Sequence, residues 1–241
     1  MHIRLLTYNI FSCRNLQRAY DIEGKIKVIT EADCDIVSLN EVHQGTRHSG
    51  FTSQTAIIAD RAGYPYRYFA RAIEHDGGEY GIALLSRYPI VSVRTVPTPE
   101  TPPREGLKLE PRVHIDAVAD VKGIPVRVLV SHYGLSEPEQ RRGVADTIRL
   151  AAQPYREKNI PVIFMGDLNN IAASEPLRPL FERFTDTGEL LGPEGLTYPS
   201  YAPERKIDYI FVSRDFKTEE CRVIESLSSD HKPLSAVVSL S

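Results

Sequence analysis

The sequence predicts an α/β fold in which two β-sheets pack face to face with helices on the outside. Short β-rich apolar runs recur along the 241 residues, and amphipathic helical patterns lie between some of them. About ten strands are more than one open sheet usually holds, because larger sheets tend to split or curl. The pattern continues without an internal repeat or a flexible linker, so we expect one domain over residues 1–241.

The predicted strands are short runs rich in β-branched residues, leucine and aromatic residues. They cover Ile3–Tyr8, Ile36–Leu39, Tyr66–Ala70, Ile82–Leu85, Ile90–Val96, Val113–Val121, Val126–Val130, Val162–Met165, Ile207–Val212 and Leu234–Val238.

Three segments between these strands show the periodicity of amphipathic helices. Isoleucines at helical spacing mark the first, from about residue 22 to residue 29, and the second covers about residues 52–62. The third begins at a capping box made by Ser136 and Glu139 and continues to about Lys158.

Composition limits the classes of function. The net charge is −3, with 29 basic and 32 acidic residues, so the chain lacks the basic footprint of a dedicated duplex-DNA binder. No run approaches the roughly 18 apolar residues of a membrane span, and we see no signal-peptide pattern. The three cysteines indicate no disulfide framework. We therefore expect a cytoplasmic protein, a monomer with neither a membrane contact nor an obligate protein partner.

Polar residues follow several predicted strands at the point where each strand ends. Asp230-His231 lies near the C-terminus, Asp167 follows the run that ends at Met165, and Asp208 lies inside a late strand. Hard cations such as Mg²⁺ or Mn²⁺ take oxygen ligands, and acidic groups collected at strand ends can supply them. A histidine beside an aspartate can orient water or transfer a proton. This combination predicts a metal-dependent phosphoesterase.

Asn9 ends the first predicted strand and Glu41 follows the second. If these two strands pair, both side chains lie at one sheet edge, with Glu41 as a direct metal ligand and Asn9 as its polar neighbour. Taken alone, Asn9 is also explained as a turn residue and Glu41 as a solvated side chain.

Asp167 and Asn169 lie on the same side of an extended segment because side chains alternate along a strand. They are placed to meet a phosphoryl oxygen, a metal or the leaving oxygen, although a turn would show the same pattern. Asp208 is a carboxylate in an apolar strand and needs a partner. We expect that partner to be His231, with Asp230 directed to the metal; a purely structural His–Asp pair remains the alternative.

His132 ends another predicted strand and provides a second histidine. Glu79 is a candidate to orient it, and Arg112 is a candidate to bind a phosphate with its forked donors. For Glu79 and Arg112, ordinary surface charge is the competing interpretation.

Together these residues resemble the endonuclease/exonuclease/phosphatase superfamily, the pancreatic-DNase-like phosphoesterases. The segments that carry the resemblance occur in family order along nearly the whole chain. They are Thr7-Tyr8-Asn9, Leu39-Asn40-Glu41, Tyr80–Arg87, Ser131-His132, Gly166–Asn169, Ile207-Asp208-Tyr209 and Ser229-Asp230-His231. Asn40 departs from the pattern, since the family usually has Gln before the metal-binding Glu.

The resemblance implies a four-layer α/β sandwich, two mixed sheets face to face with helices outside. It implies Mg²⁺ or Mn²⁺ held chiefly by Glu41, with Asn9 and Asp230 nearby, and a catalytic dyad of His231 and Asp208. It further implies that Asp167 and Asn169 contact the phosphate, the water or the leaving group, and that His132 binds phosphate.

Core motifs do not select a substrate within such a superfamily, because function depends on the site rather than the fold. Selectivity should lie in the connections His43–Phe51, Glu74–Gly78, Pro97–Pro111 and Thr197–Arg205, where Tyr198 could stack on a base or a sugar. We expect hydrolysis of a small or single-stranded phosphoester by in-line attack of water. A DNA or RNA endo- or exonuclease is the alternative, and a catalytically silent binding module on the same fold is a second one.

Overall fold

The structure, a computed structural model, describes residues 1–99 and 109–240. Its strands, in chain order, are β1 His2–Asn9, β2 Ile36–Gln44, β3 Tyr66–His75, β4 Gly78–Ser86, β5 Ile90–Pro97, β6 Val113–Val121, β7 Ile124–His132, β8 Val162–Asp167, β9 Thr185–Asp186, β10 Asp208–Val212, β11 Phe216–Val223 and β12 Leu234–Leu240. Its α-helices are α1 Ile22–Ala32, α2 Gln54–Ala62, α3 Glu137–Ala151 and α4 Arg178–Arg183.

The strands form two mixed six-stranded sheets, which confirms the predicted fold class. One sheet has the order β11-β12-β1-β2-β4-β3 and the other the order β5-β6-β7-β8-β10-β9. Buried aliphatic residues of both sheets, such as Leu5, Val128 and Ile163, form the core between them. A second cluster lies between α1, α2 and the first sheet, and a third between α3, α4 and the second sheet. The layers are therefore helices, sheet, sheet and helices.

All ten predicted strands are present, and most extend beyond their predicted ends. The strands β9 and β11 and the helix α4 were not predicted. Strand β11 has the sequence FKTEECRV and lies at a sheet edge, where polar and charged side chains protect an exposed strand. Its apolar alternation is therefore weak.

The predicted end of the third helix at Lys158 is wrong, because α3 ends at Ala151. Pro154 has no backbone N–H, and its ring would clash with the carbonyl of Leu150, four residues earlier. Tyr155 and Lys158 form a short bridge instead of a helical turn.

Strand register brings the polar strand ends together. In the first sheet, β1 and β2 are parallel and Asn9 pairs with Asn40. In the second, β7 and β8 are parallel with His132 opposite Asp167, and antiparallel β10 places Asp208 opposite Asp167. The carboxyl ends of β1, β7 and β8 therefore meet the amino end of β10 and residues Asn40 and Glu41 of β2 at one end of the sandwich. No helix in the described ranges is both long and apolar enough to span a membrane.

Candidate active site

Asp167 lies at the centre of the polar cluster. Its Oδ2 accepts a hydrogen bond of 3.0 Å from Asn9 Nδ2 and lies 3.6 Å from Nε2 of both His132 and His231. Burial raises the pKa of Asp167 to about 6, although the nearby His231 opposes the increase. Asp167 is therefore a carboxyl group that exchanges its proton near neutral pH.

His231 and Asp208 form a buried pair. His231 Nδ1 lies 2.9 Å from Asp208 Oδ2, and because a carboxylate only accepts, Nδ1 carries the proton. Burial disfavours the imidazolium, but the charges of Asp208 and Asp167 outweigh this and raise the pKa of His231 to about 10. His231 is therefore a cation at neutral pH, held in one orientation by Asp208.

Glu41 leaves the strand at a bulge. Its backbone has φ 57°, and the pairing of β2 with β4 shifts register between Leu39 and Val42. A left-handed backbone is costly for a non-glycine residue and is typical of functional sites. Glu41 Oε1 accepts a hydrogen bond of 3.1 Å from Asn9 Nδ2. Burial raises the pKa of Glu41 to about 7; the bond from Asn9 opposes the increase and the charge of Asp230 adds to it.

Asp230 lies in the loop between β11 and β12. Ser229 Oγ lies 3.3 Å from Asp230 Oδ1 and donates a hydrogen bond of 2.7 Å to the carbonyl of Asn9, which ties this loop to the end of β1. Burial raises the pKa of Asp230. No Lys or Arg within residues 1–99 and 109–240 forms an ion pair with Glu41 or Asp230. Two carboxylates without a cationic partner fit a divalent cation.

A second group of potential ligand atoms overlaps the dyad. One atom each from Asp167, Asp208 and His231 can be chosen so that all lie within 4.8 Å of one another. His231, however, is held as a cation by the two carboxylates, and an imidazolium has no lone pair for a metal. The carboxylates Glu41 and Asp230 are therefore better candidates for metal ligands than the group that contains His231.

Asn9 acts through its amide nitrogen. Both protons of Nδ2 are directed to carboxylates, Glu41 and Asp167, and Oδ1 accepts the backbone N–H of Phe11 at 3.0 Å. In this orientation the Asn9 amide nitrogen holds the two acidic side chains in place.

His132 and Arg112 form a second pair. Arg112 Nη1 lies 3.0 Å from His132 Nδ1, and because a guanidinium only donates, Nδ1 accepts and Nε2 carries the proton. Burial, together with the charge of Arg112, lowers the pKa of His132 well below its usual range. His132 is therefore neutral, and its Nε2–H is directed toward Asp167.

Asn169 follows Asp167 in a left-handed conformation with φ 53°. Its backbone N–H donates a hydrogen bond of 2.9 Å to Asp167 Oδ1, and its Nδ2 donates one of 2.9 Å to the carbonyl of Tyr133. Asn169 therefore closes the turn that orients the Asp167 carboxylate.

Tyr198 lies against the dyad, as its ring centroid is 4.8 Å from that of His231. The guanidinium of Arg205 lies 5.1 Å from the Tyr198 centroid, within the range of a cation–π contact. Tyr198 thus forms one wall beside His231.

Glu79 has partners other than His132. Among the described residues, it accepts a hydrogen bond of 3.1 Å from Gln44 and is 3.7 Å from Arg71. The next residue, Tyr80, lies near Glu41 and Arg112, since burial first and then Glu41 raise its pKa well above the usual range while Arg112 lowers it. Successive side chains point to opposite faces of a strand. This alternation could have indicated that Tyr80, and not its neighbour Glu79, faces the site.

Two of the connections expected to govern selectivity contact each other. Asp76 accepts the backbone N–H of His48 at 2.8 Å and lies 3.4 Å from Arg47 Nη1, which joins the segment after β2 to the turn between β3 and β4. Residues 100–108 of the predicted loop Pro97–Pro111 lie outside the described residues. At its ends, Thr98 donates its backbone N–H to the carbonyl of Arg112 at 2.9 Å.

Comparisons with known proteins agree with this architecture. A protein of the endonuclease/exonuclease/phosphatase group from Bacteroides vulgatus superposes with a TM-score of 0.78 at 21% identity, covering 100% of both chains. A mannosyl-6-phosphatase from Bacteroides thetaiotaomicron gives 0.77 at 20% identity, covering 99% of this chain and 100% of that chain. The TDP2 protein of D. rerio, complexed with single strand DNA product, gives 0.76 at 15% identity, covering 99% of each chain.

At these identities the structural similarity shows the fold alone. No curated protein matches the chain significantly. The sequence model of the Endonuclease/Exonuclease/phosphatase family, in contrast, matches residues 6–231, nearly the whole chain. The chain belongs to the endonuclease/exonuclease/phosphatase family.

Proposed function

We propose that this protein is a hydrolase that uses Mg²⁺ or Mn²⁺ to cleave a small or single-stranded phosphoester by in-line attack of water. The observation that carries this proposal is the convergence on Asp167. A charged His231–Asp208 pair, a neutral His132 and the Asn9 amide surround this carboxylate, with Glu41 held beside it by the same amide.

Glu41 and Asp230 are the residues that would hold the cation. Both are carboxylates with raised pKa values and without a Lys or Arg partner in the part of the chain that the structure describes. A bound divalent cation polarises a phosphoryl oxygen and stabilises the leaving oxygen. Asn9 fixes Glu41 through its amide N–H, so its contribution is to position the ligand.

Proton transfer is assigned to Asp167. A group that accepts a proton at neutral pH must be largely deprotonated there, and the pKa of Asp167 is about 6. His231, with a pKa of about 10, already carries two protons, so it stabilises negative charge on the phosphoryl group or protonates the leaving oxygen. Asp208 maintains that charge and orientation.

Phosphate binding is assigned to His132 and Arg112. His132 directs an Nε2–H toward the position between it and Asp167, and Arg112 supplies a permanent positive charge behind it. Asn169 keeps the Asp167 carboxylate aligned through its backbone N–H. These groups would bind a phosphoryl group beside the dyad.

The family relationship and the structural neighbours support phosphoester hydrolysis in general. Of the neighbours, one is a mannosyl-6-phosphatase and another is complexed with single strand DNA product, so both a small phosphoester and a nucleic acid are represented. The net charge of −3 favours the small substrate. A DNA or RNA nuclease is the second candidate.

The test is hydrolysis of p-nitrophenyl phosphate, bis-p-nitrophenyl phosphate and a labelled single-stranded oligonucleotide, with Mg²⁺, Mn²⁺ or EDTA. We expect turnover that EDTA abolishes and that His231→Ala reduces by about 10²- to 10⁴-fold. The matched control is His2→Ala, because His2 is an exposed histidine at the opposite end of β1 from Asn9. Preference for the oligonucleotide would select the nuclease.

Absence of turnover from folded wild-type protein with every substrate and metal would contradict the proposal. It would favour the catalytically silent binding module instead. In that case binding of a partner should be the same in the wild type and in His231→Ala.

A further inference from the structure

Five ring side chains form a continuous cluster beside the proposed active site. We name it the ring cluster, and it consists of Tyr20, His43, His48, His75 and Tyr80. The ring of His43 is central, with centroid distances of 5.3 Å to His48, 5.2 Å to His75 and 5.6 Å to Tyr80. Tyr20 extends the cluster through His48, at 5.4 Å. None of the five has a part in the hydrolysis proposed above.

The ring cluster adjoins the site at Tyr80 and His43. Tyr80 interacts electrostatically with both Glu41 and Arg112. His43 is two residues after Glu41 on the same strand and pairs with Tyr80 across the sheet. A group attached to a phosphate held between Glu41 and Arg112 would therefore lie over the ring cluster.

The loops that carry these rings are fixed in place. Asp76 binds the backbone N–H of His48 at 2.8 Å, and His48 Nε2 lies 3.0 Å from the carbonyl of Ser12. His43 Nδ1 lies 2.9 Å from the hydroxyl of Thr46. The surface is thus largely formed before a ligand arrives, which lowers the entropy cost of binding.

The members differ in exposure in a way that suits a binding surface. His43 is only 2% exposed and serves as the packed centre, whereas Tyr20 is 40% exposed. His75 is exposed, and His48 and Tyr80 are half-buried. The outer rings are therefore accessible, and the buried one holds them in position.

Ring orientation indicates what can bind. The planes in contact with His43 meet at 71° to 85°, so its neighbours stand edge to face around it. Nucleic-acid bases stack on aromatic faces, and a nearly perpendicular arrangement provides no slot between parallel rings. It provides alternating apolar faces and polar edges, which match the C–H faces and hydroxyl edges of a sugar ring.

Charge agrees with an uncharged, hydroxyl-bearing ligand. A neutral imidazole and a phenol each donate and accept hydrogen bonds, as sugar hydroxyls also do. Burial lowers the pKa of His48, and the charge of Arg14 acts in the same direction, while the Ser12 carbonyl and Asp76 oppose it. Arg47, a cation at the rim, is 3.4 Å from Asp76, and Arg14 is a second cation near His48. Recognition by the rings themselves therefore rests on their apolar faces and hydrogen-bonding edges.

We propose that the ring cluster binds the sugar ring of a phosphorylated sugar, placing the phosphate between Glu41, Arg112 and the dyad. This inference rests on the proposed hydrolase function and specifies its substrate class. The natural substrate is then a sugar phosphate, and the ring cluster determines KM more than kcat.

The experiment compares glucose 6-phosphate, ribose 5-phosphate, thymidine 5′-phosphate and p-nitrophenyl phosphate as substrates with Mg²⁺. The test variant is His75→Ala, an exposed residue outside the catalytic groups, and His2→Ala is the matched control. We expect His75→Ala to raise KM for the better sugar phosphate by about tenfold, as expected for the loss of one or two hydrogen bonds. The inhibition constant of inorganic phosphate, which has no attached group, and the pH profile should stay as in the wild type, and kcat should change little.

Two outcomes would overturn the proposal. One is an equal change in KM for the sugar phosphate and in the inhibition constant of inorganic phosphate, or no change in either. The other is a wild-type preference for thymidine 5′-phosphate over both sugar phosphates, which would indicate a base-binding surface.

If the wild type hydrolyses none of these compounds, the proposed function fails and the ring cluster is tested by binding alone. Isothermal titration calorimetry then compares glucose 6-phosphate with inorganic phosphate. The sugar site is supported if His75→Ala weakens only the first, and it is rejected if both bind equally to wild type and variant.

Discussion

The amide oxygen of Asn40 accepts the backbone N–H of Asp167 at 3.1 Å, while the Asn40 Nδ2 donates to the carbonyl of Ser131 at 2.9 Å. Asn40 is in β2 of one sheet, and its two partners are in β8 and β7 of the other. One buried amide therefore fixes the spacing between the sheets at the point where Glu41, the next residue in the chain, faces Asp167.

Asn40→Leu removes this link and leaves a buried N–H and a buried carbonyl without partners. We expect the free energy of unfolding to fall by about 1–3 kcal/mol, the cost of such unsatisfied groups. Activity should fall as well because Asp167 loses its alignment. Urea unfolding gives the first quantity, with Asn159→Leu as the exposed control. A fully active and equally stable Asn40→Leu protein would contradict this role.

The dyad should behave as one unit. His231→Ala and Asp208→Asn each remove the charged imidazole in its fixed orientation, so each should lower kcat by about 10²- to 10⁴-fold. Because either single change already abolishes the function of the pair, kcat of the double variant should be only slightly lower than that of His231→Ala. Single-turnover rates of the three variants test this, and full additivity would show that the two residues act independently.

Glu41→Gln keeps the size of the side chain but removes its charge. We expect weaker binding of Mn²⁺, measured by titration calorimetry or by electron paramagnetic resonance, and turnover that recovers partly at high metal concentration. Glu31→Gln, at an exposed position of α1, is the control. Unchanged Mn²⁺ affinity in Glu41→Gln would remove Glu41 from the ligand set.

At a saturating metal concentration, at which Glu41 and Asp230 would stay deprotonated, the pH dependence of kcat/KM follows from two shifted groups. Asp167 must be deprotonated to accept a proton, so activity rises as pH increases through about 6. His231 must be protonated, so activity falls as pH increases through about 10. Asp167→Asn should remove the acidic limb along with most of the activity. A profile in which activity instead rises through the pKa of His231 would make His231 the base.

Gly166 permits the close approach of β7 and β8 just before Asp167. Its φ is 153°, and a Cβ at this position would lie 1.9 Å from the carbonyl oxygen of Ser131. Gly166→Ala therefore forces the strands apart, and we expect lower thermal stability together with loss of activity. Gly123→Ala is the comparison: it also has a positive φ, but no atom lies within 4 Å of its added methyl group. Equal effects of the two changes would show that backbone conformation alone is responsible.

Ten of the twelve strands in the described residues, and the polar residues at strand ends, were predictable from the sequence alone. Apolar alternation is a local property, so runs such as Val113–Val121 matched the structure at both ends. Asn9, Glu41, Asp167 and Asp208 could be selected because each interrupts or ends an apolar run. The pairing of Asp208 with His231 was also predictable, since a buried carboxylate in a strand needs a partner.

The relationships between segments that are distant in sequence became visible in the folded structure and could not be predicted beforehand. Three features depend on how the sheets pack and register. They are the link from Asn40 to Asp167, the bulge that turns Glu41 out of its strand, and the position of Tyr80, and not Glu79, near Glu41 and Arg112. The ring cluster depends on loops joined through Asp76. Such contacts arise from long-range packing, and a linear pattern contains no periodicity that marks them.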